Sequence, residues 1–152
     1  MTKLYTQTSL ANWDEKRWPN FTLDEISCHH CGEFYIDIPT MDALQKLRNL
    51  LGGPVTVECG HRCAKHNQEV GGATRSEHLQ LAFDLALAPY ARASLLALAN
   101  DAGFTRFGLM LNGLHVDCHR IDATHAHMWT YGPASRAAWH GLFDPKTVKD
   151  WG

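Results

Sequence analysis

The sequence lacks a long apolar run, and it lacks the start of an exported protein. No stretch of the 152 residues approaches the roughly 18 apolar residues that a membrane-spanning helix needs. Residues 1–10 also lack the apolar centre of a signal peptide. We therefore expect a protein that is made in the cytoplasm without a signal peptide and that does not insert into a membrane.

A strong excess of either charge is also missing. The chain has 14 Lys and Arg residues against 16 Asp and Glu residues, which gives a formal net charge of −2. This balance offers no general attraction for phosphate backbones, so we expect no nucleic-acid partner. Because 45% of the residues are apolar, the chain can bury an ordinary core and is not disordered. We expect one monomeric domain over residues 1–152, with an N-terminal arm (1–20) and an irregular C-terminal tail (119–152).

The cysteine count is odd, so the cysteines cannot all pair within one chain. They are Cys28, Cys31, Cys59, Cys63 and Cys118. Without a secretion signal, this count argues against a disulfide scaffold and favours free or metal-bound thiols. Cys28-His29-His30-Cys31 together with Cys59 and Cys63 could form a closed four-thiolate zinc site. Buried reduced thiols or a single disulfide are the alternative, because the Cys59–Cys63 spacing is not the usual one.

Helix and strand patterns mix along the chain without a regular alternation, which indicates an α+β fold. The strongest hairpin signal is Asn112-Gly113 between two apolar runs. We expect a small antiparallel sheet flanked by helices. Predicted helices cover about 40–51, 63–70 and 89–102, and predicted strands cover 55–59, 81–87, 107–111 and 114–118.

An aspartate lies in the middle of one predicted strand. Residues 81–87 alternate so that four apolar side chains share one face and Asp84 lies on the other. A buried carboxylate is costly unless it is paired or binds a cation. His78 precedes this strand in a polar loop, while His115 and Asp117 lie on the second strand of the predicted hairpin. These side chains could therefore meet across neighbouring strands.

Two neutral imidazoles and one carboxylate form a suitable three-ligand shell for Zn²⁺, with a fourth position left for water. Such an ion lowers the pKa of its water towards about 7 and polarises a carbonyl, which indicates metal-assisted hydrolysis of an amide or ester. The spacing alone is a weak pattern. The alternative is that His78 is an exposed loop residue, Asp84 an ion-pair partner and His115 a core histidine.

A longer series of motifs resembles the peptidase M15 family, which contains short zinc D-Ala-D-Ala carboxypeptidases and endopeptidases that act on bacterial peptidoglycan. Many of these enzymes are encoded by phages. The resemblance covers roughly residues 20–118. The motifs are residues 57–63, 66–67, 70–73, 76–80, 82–85 and 114–117.

This resemblance implies a zinc site of His78, Asp84 and His115. It also implies that Arg62 holds a substrate carboxylate or carbonyl, for which the planar guanidinium is suited, although Arg62 could instead be a structural ion-pair partner. Ser76 would support its loop or form a hydrogen bond near the metal, or simply be a turn residue. The implied fold is the one that these peptidases share with the Hedgehog signalling domain.

The function implied is zinc-dependent hydrolysis of a peptide bond in the stem peptides or cross-links of peptidoglycan. The protein would then act on the bacterial cell wall, as a phage product would after release through a holin or in a virion. The alternative is a wall-binding or phage-structural module that keeps the fold without turnover.

Two departures from the family pattern support that alternative. Five residues rather than six separate His78 from Asp84, so the strand would turn Asp84 away from the metal unless residues 79–81 absorb the change. In several relatives the general base lies three positions before the last zinc histidine, where this chain has Asn112. Asp117 is the nearest acidic candidate, either as the base or as a carboxylate that orients His115.

Overall fold

The computed structural model describes residues 3–5, 13–73, 76–121 and 126–150 and has the α+β fold that the sequence predicts. Its helices are α1 (Leu23–Ile26), α2 (Ile38–Leu51), α3 (Ala64–Glu69), α4 (Arg92–Ala102) and α5 (Pro133–Ala138), with a 3-10 helix at Glu77–Leu79. Its strands are β1 (Lys3–Tyr5), β2 (Phe34–Ile36), β3 (Val57–Cys59), β4 (Phe83–Ala86), β5 (Arg106–Met110), β6 (Gly113–Asp117), β7 (Met128–Thr130) and β8 (Lys149–Asp150).

The main sheet has six strands in the order β3-β4-β6-β5-β7-β8. The pairs from β3 to β5 are antiparallel, as predicted, but β7 and β8 add in parallel, so the whole sheet is mixed. A separate two-stranded antiparallel sheet joins β1 to β2. The antiparallel half of the main sheet contains the strands that carry Asp84 and His115.

The C-terminal part of the chain is not irregular as expected. It contributes β7, α5 and β8, and β7 extends the main sheet by pairing with β5. Each of these strands has only two or three residues, too few for an alternating pattern to be recognised in the sequence. They form because a neighbouring strand supplies their hydrogen-bond partners.

The predicted hairpin is present, with its turn one residue earlier than expected. Met110 pairs with Gly113, so Leu111 and Asn112 form the two-residue turn. Gly113 belongs to β6, where a Cβ would lie 2.7 Å from the backbone oxygen of Leu85. The register of this hairpin sets the position of His115 in β6.

Helices α2 and α4 cover the sheet and supply much of the core. Asp37 caps the start of α2 by accepting a hydrogen bond from the Thr40 N–H at 3.2 Å. Leu44 and Leu47 of α2 and Leu95 of α4 are buried in the same cluster. Within the described residues, no helix combines the length and apolar character needed to cross a bilayer.

The described end of the N-terminal arm packs on the body through the indole of Trp18. Trp18 is only 1% exposed, and its ring lies 5.1 Å from that of Trp13. Its Nε1–H donates to Asp42 of α2 at 2.9 Å, while Arg17 contacts the same carboxylate through two nitrogens, each at 2.7 Å. Asp42 therefore fastens the arm to α2.

Candidate active site

The two strand-borne residues of the predicted triad face each other across the sheet. Asp84 of β4 pairs directly with His115 of β6, and the His115 Nδ1 lies 2.9 Å from the Asp84 Oδ1. His78 reaches the same oxygen from the 3-10 helix, with its Nε2 at 3.2 Å. The three predicted ligands therefore come together around a single carboxylate oxygen.

The other nitrogen of each imidazole has its own acceptor. The His78 Nδ1–H donates to the Gly60 carbonyl at 2.7 Å, and the His115 Nε2–H donates to the Asp117 Oδ2 at 2.9 Å. With these tautomers, two nitrogen lone pairs face one carboxylate oxygen. Such an arrangement repels itself unless a proton or a metal cation lies between the groups.

The charges of the site follow from these contacts. Burial acts to lower the pKa of His78, but its contacts with Asp84 and Cys59 outweigh burial and raise the pKa to about 10. Burial acts to raise the pKa of Asp84, but His115 and His78 hold that pKa well below its usual range. The site is thus built to place positive charge against the Asp84 carboxylate.

The loop between His78 and Asp84 absorbs the missing residue. Gln80 ends the 3-10 helix with φ −112° and ψ −109°, which belongs to neither a helix nor a strand. Its carbonyl accepts a hydrogen bond from the His61 Nδ1–H at 2.7 Å, and the His78 carbonyl accepts one from the Arg62 N–H at 2.6 Å. Backbone contacts with residues 61 and 62 thereby hold His78 and Asp84 within reach of each other.

Arg62 lies beside the Asp84 carboxylate. Its Nη1–H donates to the Asn67 Oδ1 at 2.9 Å and its Nε–H to the Cys59 sulfur at 3.4 Å, while its Nη2 is 3.8 Å from the Asp84 Oδ2. These contacts fix the guanidinium in place. Asn67 and Cys59 accept hydrogen bonds from two of its nitrogens, and the third nitrogen, Nη2, faces Asp84.

A cavity of about 400 Å³ opens over these side chains. Its wall includes the three predicted ligands together with Arg62, Arg106 and Ser76. Trp129 and Tyr131 form an aromatic part of the wall, and the Trp129 ring lies 5.3 Å from that of His115. The cavity therefore combines cationic, aromatic and metal-binding groups.

A family model described as Peptidase M15 matches residues 19–119 of the chain. The chain belongs to the peptidase M15 family. The match contains every residue of the predicted site, from Arg62 to Asp117, and confirms the resemblance that the motifs indicated. The family consists of metal-dependent peptidases, and the chain is thus a peptidase by family. A search of the curated proteins found no match to it.

In this M15 peptidase, Asp117 lies behind His115 rather than on the cavity wall. It is 1% exposed, and its Oδ2 accepts hydrogen bonds from His115 and from the Arg106 Nη1–H at 3.2 Å. Its Oδ1 accepts the His119 N–H at 2.9 Å. Burial acts to raise the pKa of Asp117, but His115 and Arg106 hold it below its usual value. Both carboxylate oxygens of Asp117 thus accept hydrogen bonds from other groups of the protein.

Ser76 caps the 3-10 helix of this M15 peptidase. Its Oγ accepts a hydrogen bond from the His78 N–H at 3.2 Å, and the residue also lines the cavity. Asn112 lies exposed in the hairpin turn, away from the cavity wall. Ser76 thus supports the His78 loop.

Cys59, Arg106 and Glu77 are site residues that the sequence did not single out in these positions, and Glu77 lines the cavity beside Arg106, 3.8 Å from its Nη1. The Cys59 sulfur lies 3.6 Å from the His78 Nδ1, and ligand atoms of Cys59, His78 and Asp84 all lie within 4.8 Å of one another. Burial acts to raise the pKa of the Cys59 thiol, but His78 and Arg62 outweigh it and lower that pKa. The signal that could have indicated this contact is that Cys59 ends the strand β3, which lies beside β4, the strand of Asp84.

Proposed function

We propose that this M15 peptidase holds Zn²⁺ between His78, Asp84 and His115 and hydrolyses a peptide bond in peptidoglycan stem peptides or cross-links. One observation carries the proposal. The two imidazoles have their outer nitrogens bonded to Gly60 and Asp117, so their remaining lone pairs face the same Asp84 oxygen. That arrangement needs a proton or a metal cation at this point, and the proposed Zn²⁺ takes the place of the proton.

The donor set fits zinc. Two neutral imidazole nitrogens and one carboxylate oxygen are the ligands of many catalytic zinc sites, and carboxylate or carbonyl partners of the outer nitrogens are typical of them. When bound, zinc polarises the scissile carbonyl and lowers the pKa of water, so that water attacks near neutral pH.

The chain itself supplies positioning. Asp117 fixes the ring and the tautomer of His115, and its contacts support this orienting role over that of the general base. Gly60 does the same for His78. Arg62 lines the cavity with its Nη2, which is 3.8 Å from the Asp84 Oδ2, and binds the substrate carboxylate or the carbonyl next to the cleaved bond.

The lining of the cavity supports peptidoglycan stem peptides as substrates. Such peptides carry free carboxylates, which suit the cationic side chain of Arg62 on the wall, whereas Arg106 is already paired with Asp117 and with Glu77 of the same wall. Trp129 and Tyr131 offer apolar surface for the small methyl side chains of alanine residues or for sugar rings. Action at the bacterial cell wall follows from this substrate.

The test is digestion of purified peptidoglycan, with soluble products identified by mass spectrometry. We expect new amino and carboxyl termini within the stem peptides, loss of release after chelation, and recovery when zinc is added back. His115→Ala should bind no zinc at this site and should release nothing. The control is His140→Ala, which removes an exposed histidine far from the cavity and should behave like the unmodified protein.

The same experiment separates the peptidase from a wall-binding module. A protein that sediments with peptidoglycan but releases no peptide, with or without zinc, would contradict the proposed hydrolysis. Full activity of a metal-free preparation would contradict the proposed role of zinc.

A further inference from the structure

We propose a second, structural zinc site in which the thiolates of Cys28, Cys31 and Cys63 and the imidazole of His66 bind the ion. The sulfur atoms of the three cysteines lie within 4.8 Å of one another. This cluster does not include Cys59, which lies beside His78 instead. The site is therefore distinct from the one that would hold the catalytic metal.

The loop after α1 brings two of the sulfurs together. The Cys28 N–H donates to the Glu33 carbonyl at 2.7 Å, and the Gly32 N–H donates to the Cys28 carbonyl at 2.8 Å. Gly32 adopts φ +76°, which lets the chain reverse tightly behind Cys31. This turn holds both cysteines of the Cys28-x-x-Cys31 pair at one end of the loop.

The start of α3 brings the third sulfur to the same place. Cys63 is the N-cap of α3, and its N–H donates to the Cys28 sulfur at 3.4 Å. The Cys63 sulfur accepts the N–H of His66, also at 3.4 Å. Amide N–H groups directed at sulfur stabilise thiolates, which are the form of cysteine that binds metal.

His66 is assigned as the fourth ligand on its spacing from Cys63, and the neighbouring His30, whose Nδ1 lies 3.7 Å from the Cys63 sulfur, is the alternative. Cys28-x-x-Cys31 and Cys63-x-x-His66 are two pairs with the separation typical of structural zinc sites. His66 stands one turn into α3 and stacks on His30, with ring centroids 5.7 Å apart and an interplanar angle of 9°. The two segments would then each contribute two ligands.

Thiolate chemistry favours a metal over a disulfide here. The five cysteines are all unpaired thiols, and a disulfide within this cluster would leave its third sulfur without a partner. Three thiolates and one imidazole form a closed tetrahedral set that selects zinc among the common divalent ions. Such a site has no open position and is not catalytic.

A zinc ion at this point would fasten the loop that carries Arg62. Arg62 immediately precedes Cys63, and the preceding residue, His61, donates its N–H to the Ile26 carbonyl of α1 at 2.8 Å. The ion would add a second link between these segments. Its role is to keep the guanidinium of Arg62 at the edge of the cavity.

The first test uses the full chain and zinc chloride as the only ligand. Cys31 is exposed, so iodoacetamide can reach and modify it after chelation. Zinc should slow this modification by about tenfold or more, because a bound thiolate is a poor nucleophile. Cys118, remote from the cluster, serves as the internal control in the same peptide digest and should react at the same rate in both states. Equal reaction rates of Cys31 with and without zinc would overturn the proposal.

The second test counts the metal. The unmodified protein and Cys118→Ser should retain about two zinc ions per chain, and Cys31→Ser and His66→Ala about one. His115→Ala should lose the other ion and keep zinc protection of Cys31, which separates this proposal from the proposed catalysis. Two zinc ions retained in Cys31→Ser would overturn the proposed structural site. Loss of the structural ion in His30→Ala but not in His66→Ala would overturn the assignment of His66 as its fourth ligand.

Discussion

Asp84 and His115 are directly opposite each other on β4 and β6, with the Asp84 Oδ1 2.9 Å from the His115 Nδ1. The backbone pairing of the two strands holds the Cβ atoms of opposite residues about 4.5–5.5 Å apart, which brings these two side chains within reach of each other. The register of one antiparallel pair therefore fixes two of the three proposed ligands. The third, His78, depends on a loop that residues 61 and 62 hold in place.

Asp117→Asn tests how the residue behind His115 acts. We expect zinc affinity to fall about 10- to 100-fold, because the amide is a weaker acceptor for the His115 Nε2–H. At saturating zinc, most of the hydrolytic activity should return. A zinc titration against a competing chelator, followed by peptidoglycan digestion at high zinc, measures both effects.

The control for this variant is Asp101→Asn, an exposed residue of α4 that should leave both quantities unchanged. Unchanged zinc affinity, together with loss of turnover and of the acidic limb of the pH–rate profile, would contradict the orienting role. That result would make Asp117 the general base.

Arg62→Lys tests the guanidinium beside the cavity. Lysine keeps the charge but lacks the planar fork of donors, so we expect hydrolysis to slow about 100-fold with zinc content unchanged. The rate of release from peptidoglycan and the zinc content are measured on the same preparation. Arg120→Lys, at an exposed position, is the matched control. A variant as active as the unmodified protein would show that Arg62 only supports its loop.

Gly108→Ala tests the space behind His115. Gly108 of β5 pairs with His115 on one side and with Trp129 on the other. A Cβ there would lie 2.9 Å from both the His115 Cβ and the Trp129 Cε2. We expect the free energy of unfolding to fall by about 1–3 kcal/mol, and zinc to bind more weakly.

Denaturant unfolding and zinc titration of Gly108→Ala measure these effects. Gly53→Ala, which crowds the end of Tyr90 away from the site, should leave zinc affinity unchanged. Wild-type zinc affinity in Gly108→Ala would mean that His115 is not held by the packing of β5 and β7.

Asp42→Asn tests the link between the arm and α2. Arg17 holds the pKa of Asp42 below its usual value, against the effect of burial and with help from the Trp18 N–H. Asp42 therefore stabilises the fold above the pKa of the unfolded chain, and this contribution is lost as the pH falls through the lower folded-state pKa. We expect the variant to melt about 2–4 °C lower at pH 7.

The melting difference should shrink as the pH falls below about 4, where Asp42 of the unfolded chain begins to take up a proton, and should vanish below the lower folded-state pKa. Thermal unfolding followed by circular dichroism at several pH values measures it. A difference that stays constant down to pH 2 would show that the charge of Asp42 contributes nothing.

Much of the fold, and the strands that carry Asp84 and His115, followed from local patterns. The alternation over residues 81–87 placed Asp84 on the face opposite Phe83 and Leu85, and those two side chains are buried in the core as expected. The Asn112-Gly113 signal identified the hairpin that carries His115. These features are predictable because each depends on a run of residues within one element.

What the sequence did not reveal depends on contacts between distant segments. The short spacing between His78 and Asp84 does not indicate which residues hold the loop between them. His61 and Arg62, which do so, lie more than ten residues earlier in the sequence. Arg106 and Asp117 meet because their strands pair, not because they are near in sequence. The cysteines also group differently from the predicted four-thiolate site. Cys59 of β3 lies beside His78, and Cys63 lies beside Cys28 instead.

The most direct measurement is the position of zinc in crystals of the protein, located by anomalous diffraction at the zinc absorption edge. The proposed zinc site predicts a peak about 2.0–2.2 Å from the His78 Nε2, an Asp84 carboxylate oxygen and the His115 Nδ1. A zinc-loaded crystal with no peak at these atoms, or with the Cys59 sulfur in place of His115, would contradict it.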